Sequence, residues 1–195
     1  MLDLNNLQFN HLKIHTQYSI CEGAIKINNL KDFCKERKIS CIGLSDTSNL
    51  CGALEFAESI SKIGTQPVIG TQINFKFEDT IGLLPLIALN EKGYKKIIEL
   101  SSKSYLENDK LSDPHLLIHE LYNDTEGVLV LSGSIQGLFG KLFYKGRFDV
   151  ITKIYEKLSS IYKDRFYLEI QRHGDKNEIG YEKYNLKESS LLKIP

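Results

Sequence analysis

The sequence has no excess of charge of either sign. Lys and Arg number 25, Asp and Glu number 25, and the formal net charge at pH 7 is zero. With no basic tail and no block of like charge, electrostatics gives no reason to expect strong nucleic-acid binding by these residues alone. No apolar run approaches the roughly 18 residues that span a bilayer, and no charged-then-apolar leader opens the chain. A soluble, cytoplasmic protein without membrane contact is expected. Cysteine is sparse: Cys21, Cys34, Cys41 and Cys51 form no Cys-x-x-Cys pair, and they fall in stretches that read as buried or half-buried. Reduced core residues are expected rather than disulfides. Repeats and low-complexity segments are also lacking.

What remains is an ordinary globular composition, 42% hydrophobic and 26% charged over 195 residues, enough for one full core and a single domain over residues 1–195. Short apolar segments alternate with amphipathic ones, the pattern of a mainly parallel α/β architecture. A first strand is expected over residues 11–15. A helix from Asn28 to Ile39 follows, with Leu30, Phe33 and Cys34 on one face and Asn28 or Asn29 as its cap. "CIGLSD" reads as a buried strand ending in Asp46, "TSNLCG" as a turn, and the segment onward to Ile63 as a helix facing inward with Ala53, Phe56, Ala57 and Ile60. "PVIGTQINFKF" and "LLPLIAL" read as strands, Pro85 suiting an edge or a bulge.

Further on, a helix over Lys92–Tyr105 is expected to present Tyr94, Ile97, Ile98 and Ser101. "HLLIHEL" is expected to form a short helix after Asp113-Pro114. "GVLVLSGS" reads as a buried strand, residues 149–162 as a strongly striped helix, "RFYLEIQRHG" as a strand, and the stretch from Ile179 to Leu192 as a last helix. A βα protein would ordinarily continue from such a helix into another strand. The chain is therefore expected to be part of something longer, with an open edge and lower stability than a longer chain.

In α/β folds of this kind the functional groups gather beyond the C-terminal ends of the strands. Four such ends carry polar residues, His15, Asp46, Ser134 and His173. His15, Asp46 and His173 are N and O donors that suit zinc or manganese, although hydrogen-bonded strand-end residues have the same appearance. His11 shares a strand face with Lys13 and His15. His115 and His119 stand four apart without the Glu of the H-E-x-x-H zinc motif, so a solvated helix face is the expectation. Ser132 and Ser134 do not form G-x-S-x-G, and Gly133, Gly137 and Gly140 match no phosphate-binding fingerprint. Tight turning is the expected use of these glycines.

The blocks "HLKIHTQYSICEGA", "IGLSDTSNLCGALEF", "PVIGTQINF", "LVLSGSIQG" and "YLEIQRHG", in this order, resemble the N-terminal polymerase-and-histidinol-phosphatase (PHP) domain of bacterial replicative DNA polymerase III alpha subunits. The resemblance implies a distorted, TIM-barrel-like β/α barrel, here truncated before its last strand units, with a pocket at the C-terminal strand ends. Metal-binding members begin with H-x-H, which falls on Lys13 and His15. The family's D-H falls on Asp46 and Thr47, its G-x-E glutamate on Gln72, and a later cysteine on Ser134, while a histidine is kept as His173.

These changes imply a vestigial metal pocket of Lys13, His15, Asp46, Thr47, Gln72, Ser134 and His173. A Lys ammonium at a ligand position repels a cation, and an ion pair of Lys13 with Asp46 is the alternative expected. No catalytic residue, metal or other cofactor is expected in these residues. The implied parent is a magnesium-dependent DNA-directed DNA polymerase whose palm, fingers and thumb lie outside the chain. Implied partners are the proofreading 3′–5′ exonuclease subunit, other polymerase III holoenzyme subunits, and DNA through the full-length chain. The alternative is a zinc- or manganese-dependent phosphoesterase or 3′–5′ exonuclease using His15, Asp46 and His173.

Overall fold

A computed structural model of the chain describes residues 9–108 and 112–195. The chain divides into two compact units, Met1–Thr71 and Gln72–Pro195. Their elements alternate as strand and helix, the expected α/β class.

In the first unit the helix α1 (Ile27–Arg37) is followed by the strand β1 (Cys41–Thr47) and the helix α2 (Ala53–Ser61), and the two helices pack together. Ile27, Leu30 and Cys34 of α1, Ile42 and Leu44 of β1, and Ala53, Phe56 and Ile60 of α2 form one core. Each buried Ile, Leu or Phe among them contributes about 1.5–3 kcal/mol of transfer free energy. The helix begins one residue before Asn28, at buried Ile27, and its cap is Lys26 with no side-chain bond. Apolar burial therefore sets the start of α1, and neither asparagine caps it. Phe33, expected on the inner face, is 44% exposed, with the Arg37 guanidinium 6.0 Å from its ring centroid. Cys34 is buried and Cys41 half-buried, but Cys21 and Cys51 are exposed, and all four are free. The last two lie in polar turns, where the reading as core residues fails.

The segment expected as a strand over 11–15 is reduced to a parallel bridge between Ile14 and Leu44. Its backbone still follows β1: Gly43 N–H donates to His11 O at 2.7 Å and Ser45 N–H to Ile14 O at 2.8 Å. Such proximity requires a glycine, since a Cβ on Gly43 would stand 2.5 Å from Leu12 O.

The strand β2 (Gln66–Phe77) runs across the unit boundary. In the second unit the turn at Glu78 and Asp79 leads from it into the strand β3 (Thr80–Ala88). The strand β5 (Val128–Leu131) pairs antiparallel with β3, while the strand β4 (Leu116–Leu117) pairs parallel with β2 and the strand β6 (Phe166–Tyr167) parallel with β5. The sheet is thus mixed rather than mainly parallel. Pro85 is buried inside β3 and not at an edge, but the paired register with β5 begins at Leu86. Its missing N–H falls just outside that ladder.

The helix α3 (Glu91–Leu106) is capped by Asn90, whose side chain accepts from Gly93 N–H at 3.0 Å. Its buried face is Gly93, Ile97, Leu100 and Ser104, rotated from the expected one, and Ile98 is 40% exposed. Gly93 sets this rotation: a Cβ there would meet Gly127 O at 1.8 Å, so the helix sits directly on the approach to β5. "HLLIHEL" forms β4 and a 3-10 turn at Ile118–Tyr122 instead of a helix. The short helix α4 (Leu138–Tyr144) contains Gly140, which allows contact with Ile135 rather than a turn. Gly133, at φ 78°, and Gly137, whose N–H donates to Ser134 O at 2.9 Å, serve the tight turning expected of the three.

The helix α5 (Phe148–Tyr162) matches its stripe. β6 is shorter than "RFYLEIQRHG" suggests, and the helix α6 (Lys176–Leu192) starts three residues before Ile179, at an Asp175 cap. Within the described residues no helix is long and apolar enough to cross a membrane.

Candidate functional site

In the first unit the candidate site is a loop pinned to the end of a strand. After His15 the chain leaves β1 and folds into a turn, with Ser19 N–H donating to Thr16 O and Gly23 N–H to Ser19 O, each at 2.9 Å. Asp46, fully buried at the end of β1, holds this turn. Its Oδ1 accepts from Thr16 N–H at 2.6 Å and Ser19 Oγ at 2.7 Å, and its Oδ2 accepts from Thr16 Oγ1 at 2.8 Å. A buried carboxylate is tolerated when donors surround it in this way.

Thr47 extends the pinning. Its N–H donates to Ser19 Oγ at 3.1 Å and its Oγ1 to Glu22 Oε2 at 2.5 Å. His15 Nδ1 lies 3.4 Å from Ser19 Oγ and 3.8 Å from Glu22 Oε2. Ser48, at φ 57°, then bends the chain away. The Asn49 amide donates to Tyr18 O and Thr47 O at 2.9 Å, and Thr71 Oγ1 donates to Asp46 O at 2.7 Å. Tyr18 donates its phenol to Glu55 Oε2 at 2.7 Å, and that carboxylate raises the phenol above the ordinary tyrosine value. Among the residues read from the sequence, His15, Asp46 and Thr47 therefore come together, and Lys13 is half-buried two residues before His15. Thr16, Ser19 and Glu22, the groups that join them, were not read as site residues. The only hint was a run of polar residues directly after the first strand.

In the second unit Gln72 is buried in β2. Ser134 belongs to the turn that opens α4, where its Oγ accepts from Gln136 N–H at 3.2 Å and its carbonyl from Gly137 N–H at 2.9 Å. Ser132 links strands, since its Oγ accepts from Glu169 N–H at 2.8 Å and its N–H donates to Tyr167 O at 2.9 Å. His173 follows β6 with a side chain 71% exposed. Buried Glu178 takes its backbone N–H at 2.7 Å and its Nδ1 at 2.9 Å. These bonds, the ring contact first, hold the Glu178 carboxyl below the usual range despite burial. Ser134 and Glu178 line a cavity of about 10 Å³ with Glu169 and Gln171.

His115 and His119 do not share a helix face. His115 Nδ1 donates to Asp113 O at 2.7 Å, and His119 is in the 3-10 turn with Glu120. Among the described residues no three His, Cys, Asp or Glu side chains are gathered as a metal ion requires.

The profile of the PHP domain matches residues 11–173. The chain belongs to the PHP domain family. It is 34% identical over 187 residues to the DNA polymerase III subunit alpha of Caulobacter vibrioides, covering 89% of this chain and 16% of that protein. The subunits of the same name from Rickettsia felis and Vibrio cholerae are 33% and 30% identical, over 96% and 98% of this chain and 16% and 17% of theirs. This PHP domain therefore spans about one sixth of the length of those relatives. A solved structure from Bifidobacterium adolescentis, assigned as a metal-dependent phosphoesterase, has the same fold, with a TM-score of 0.59 at 14% identity over 95% of this chain and 84% of that one.

Proposed function

We propose that this chain is the PHP module of a replicative DNA polymerase III alpha subunit, and that its ancestral metal site has become a structural and docking element. The observation that carries the reading is the engagement of Asp46. Among the described residues its carboxylate accepts three hydrogen bonds, all from Thr16 and Ser19, an arrangement that stabilises a loop and leaves a poor ligand for a cation. By the resemblance, Lys13, Thr47, Gln72 and Ser134 take the sequence positions of the family's ligands, and loss of even one supporting group typically weakens a metal site 10–100-fold. The residues present thus do not fit a bound zinc or manganese, and no step is assigned to one.

Under this reading the full-length protein is cytoplasmic and carries out magnesium-dependent DNA synthesis with residues outside this chain. It contacts DNA and the other holoenzyme subunits there, while the PHP module holds the proofreading 3′–5′ exonuclease subunit. The competing reading, a phosphoesterase or exonuclease using His15, Asp46 and His173, is favoured only by the fold of the Bifidobacterium protein. Metal analysis of the purified protein, with a nitrophenyl phosphate ester offered in added zinc or manganese, separates the two. The expected result is no stoichiometric metal and no turnover, together with capture of the exonuclease subunit. Tight metal with turnover that disappears in His15→Ala overturns the proposal.

A further inference from the structure

The helix α6 is oriented against ordinary amphipathic logic. A helix on a core usually turns its apolar stripe inward, yet the buried residues here are Glu178, Tyr181, Asn185 and Glu188. Asn185 Oδ1 accepts from Tyr155 OH at 3.1 Å, and Glu188 Oε2 accepts from Thr152 Oγ1 at 2.9 Å. These polar contacts to α5 dock the helix together with ring contacts of Tyr181 and Tyr184 to Phe143. Three of its aliphatic residues point outward, Ile179 54%, Leu186 50% and Leu191 65% exposed, while Leu192 is half-buried.

Three exposed lysines, Lys176, Lys183 and Lys187, share that outer surface. At 3.6 residues per turn they fall with Ile179, Leu186 and Leu191 inside an arc of about 140°. The helix's glutamates are elsewhere and engaged, Glu178 with His173, Glu182 with Arg172 and Glu188 with Thr152. The outer arc is therefore both apolar and purely cationic.

We propose that this face of α6 docks an acidic amphipathic segment of a partner protein, its aliphatic residues set against Ile179 and Leu186 and its carboxylates against the three lysines. Charge complementarity selects an acidic occupant and sets the encounter rate, while the aliphatic stripe supplies anchors for the apolar face of an amphipathic helix. Nucleic acid is the poorer match, because single strands stack on aromatic side chains and this stripe is aliphatic. The inference stands on α6 itself, independently of which protein the module holds.

The test uses a fluorescent synthetic helical peptide with leucines at i, i+3, i+4 and i+7 and glutamates along both flanks. Its binding is followed by anisotropy to the wild-type chain and to the K183E/K187E and L186S variants, whose melting curves report intact folding. Both variants are expected to bind about tenfold more weakly, ~1.4 kcal/mol, and the wild-type affinity is expected to fall as salt rises. Equal binding of a peptide with lysines in place of the glutamates overturns the proposal, as does unchanged binding by folded variants. So does a single-stranded DNA oligonucleotide that binds the wild type and is lost in K183E/K187E while the peptide is unaffected.

Discussion

Ser19 Oγ donates to Asp46 Oδ1 at 2.7 Å across 27 residues of sequence, and the same oxygen accepts from Thr47 N–H at 3.1 Å. One hydroxyl thus ties the turn after His15 to both the side chain and the backbone at the end of β1. With Thr16 supplying two more donors to Asp46, the loop geometry depends on a carboxylate sealed from water.

Replacing that carboxylate leaves buried donors unmatched. Hydrogen bonds to a charged group are worth about 1.5–3 kcal/mol each, non-additively, so Asp46→Ala is expected to lose about 3 kcal/mol of stability in urea unfolding. Ser19→Ala is expected to lose about 1–2 kcal/mol. A loss below about 1 kcal/mol in Asp46→Ala would show that the network contributes little.

The fold was legible where apolar periodicity was strong, as in α2, α5 and β2. It was misread where another force set the outcome. The buried face of α3 is turned by the approach of Gly93 to Gly127, a backbone contact that leaves no mark in hydrophobic spacing. β4 arises where Leu116 pairs with Phe75, a partner distant in sequence. At the site, His15, Asp46 and Thr47 were found from their strand-end positions and the family pattern. Thr16, Ser19 and Glu22 were not, because a turn's internal hydrogen bonds follow no periodicity.

Ser45 gives the opposite case to Asp46. Its Oγ is buried in β1 and finds no hydrogen-bond partner among the described residues. An unmatched hydroxyl carries a desolvation cost of about 1 kcal/mol or more. Ser45→Ala is therefore expected to be neutral or to raise the urea midpoint. A clear decrease in stability would reveal a partner for this hydroxyl.

Close backbone approach makes Gly43 a sharper test of the first segment. A Cβ there would stand 2.5 Å from Leu12 O and 2.6 Å from Leu12 Cα, and neither atom can move without shifting the chain. Gly43→Ala is expected to detach residues 11–14 from β1, with faster hydrogen exchange at Ser45 N–H, which donates to Ile14 O. Unchanged exchange there would mean that the segment accommodates the methyl by sliding.

Acid should weaken the second unit. Glu178, Glu182 and Asp79 are each held below their ordinary values by hydrogen-bonded partners, His173, Arg172 and Lys145. A depressed folded-state value means that the unfolded chain binds the proton more readily, so stability rises with pH through this range. The contribution is fully present above the ordinary glutamate value of 4.5 and is lost as pH falls through the folded value. Urea midpoints should therefore drop below about pH 4.5. Glu178→Gln, which cannot ionise, is expected to start less stable at neutral pH and to show a shallower acid decline. An acid decline as steep as that of the wild type would remove Glu178 from the set of groups responsible.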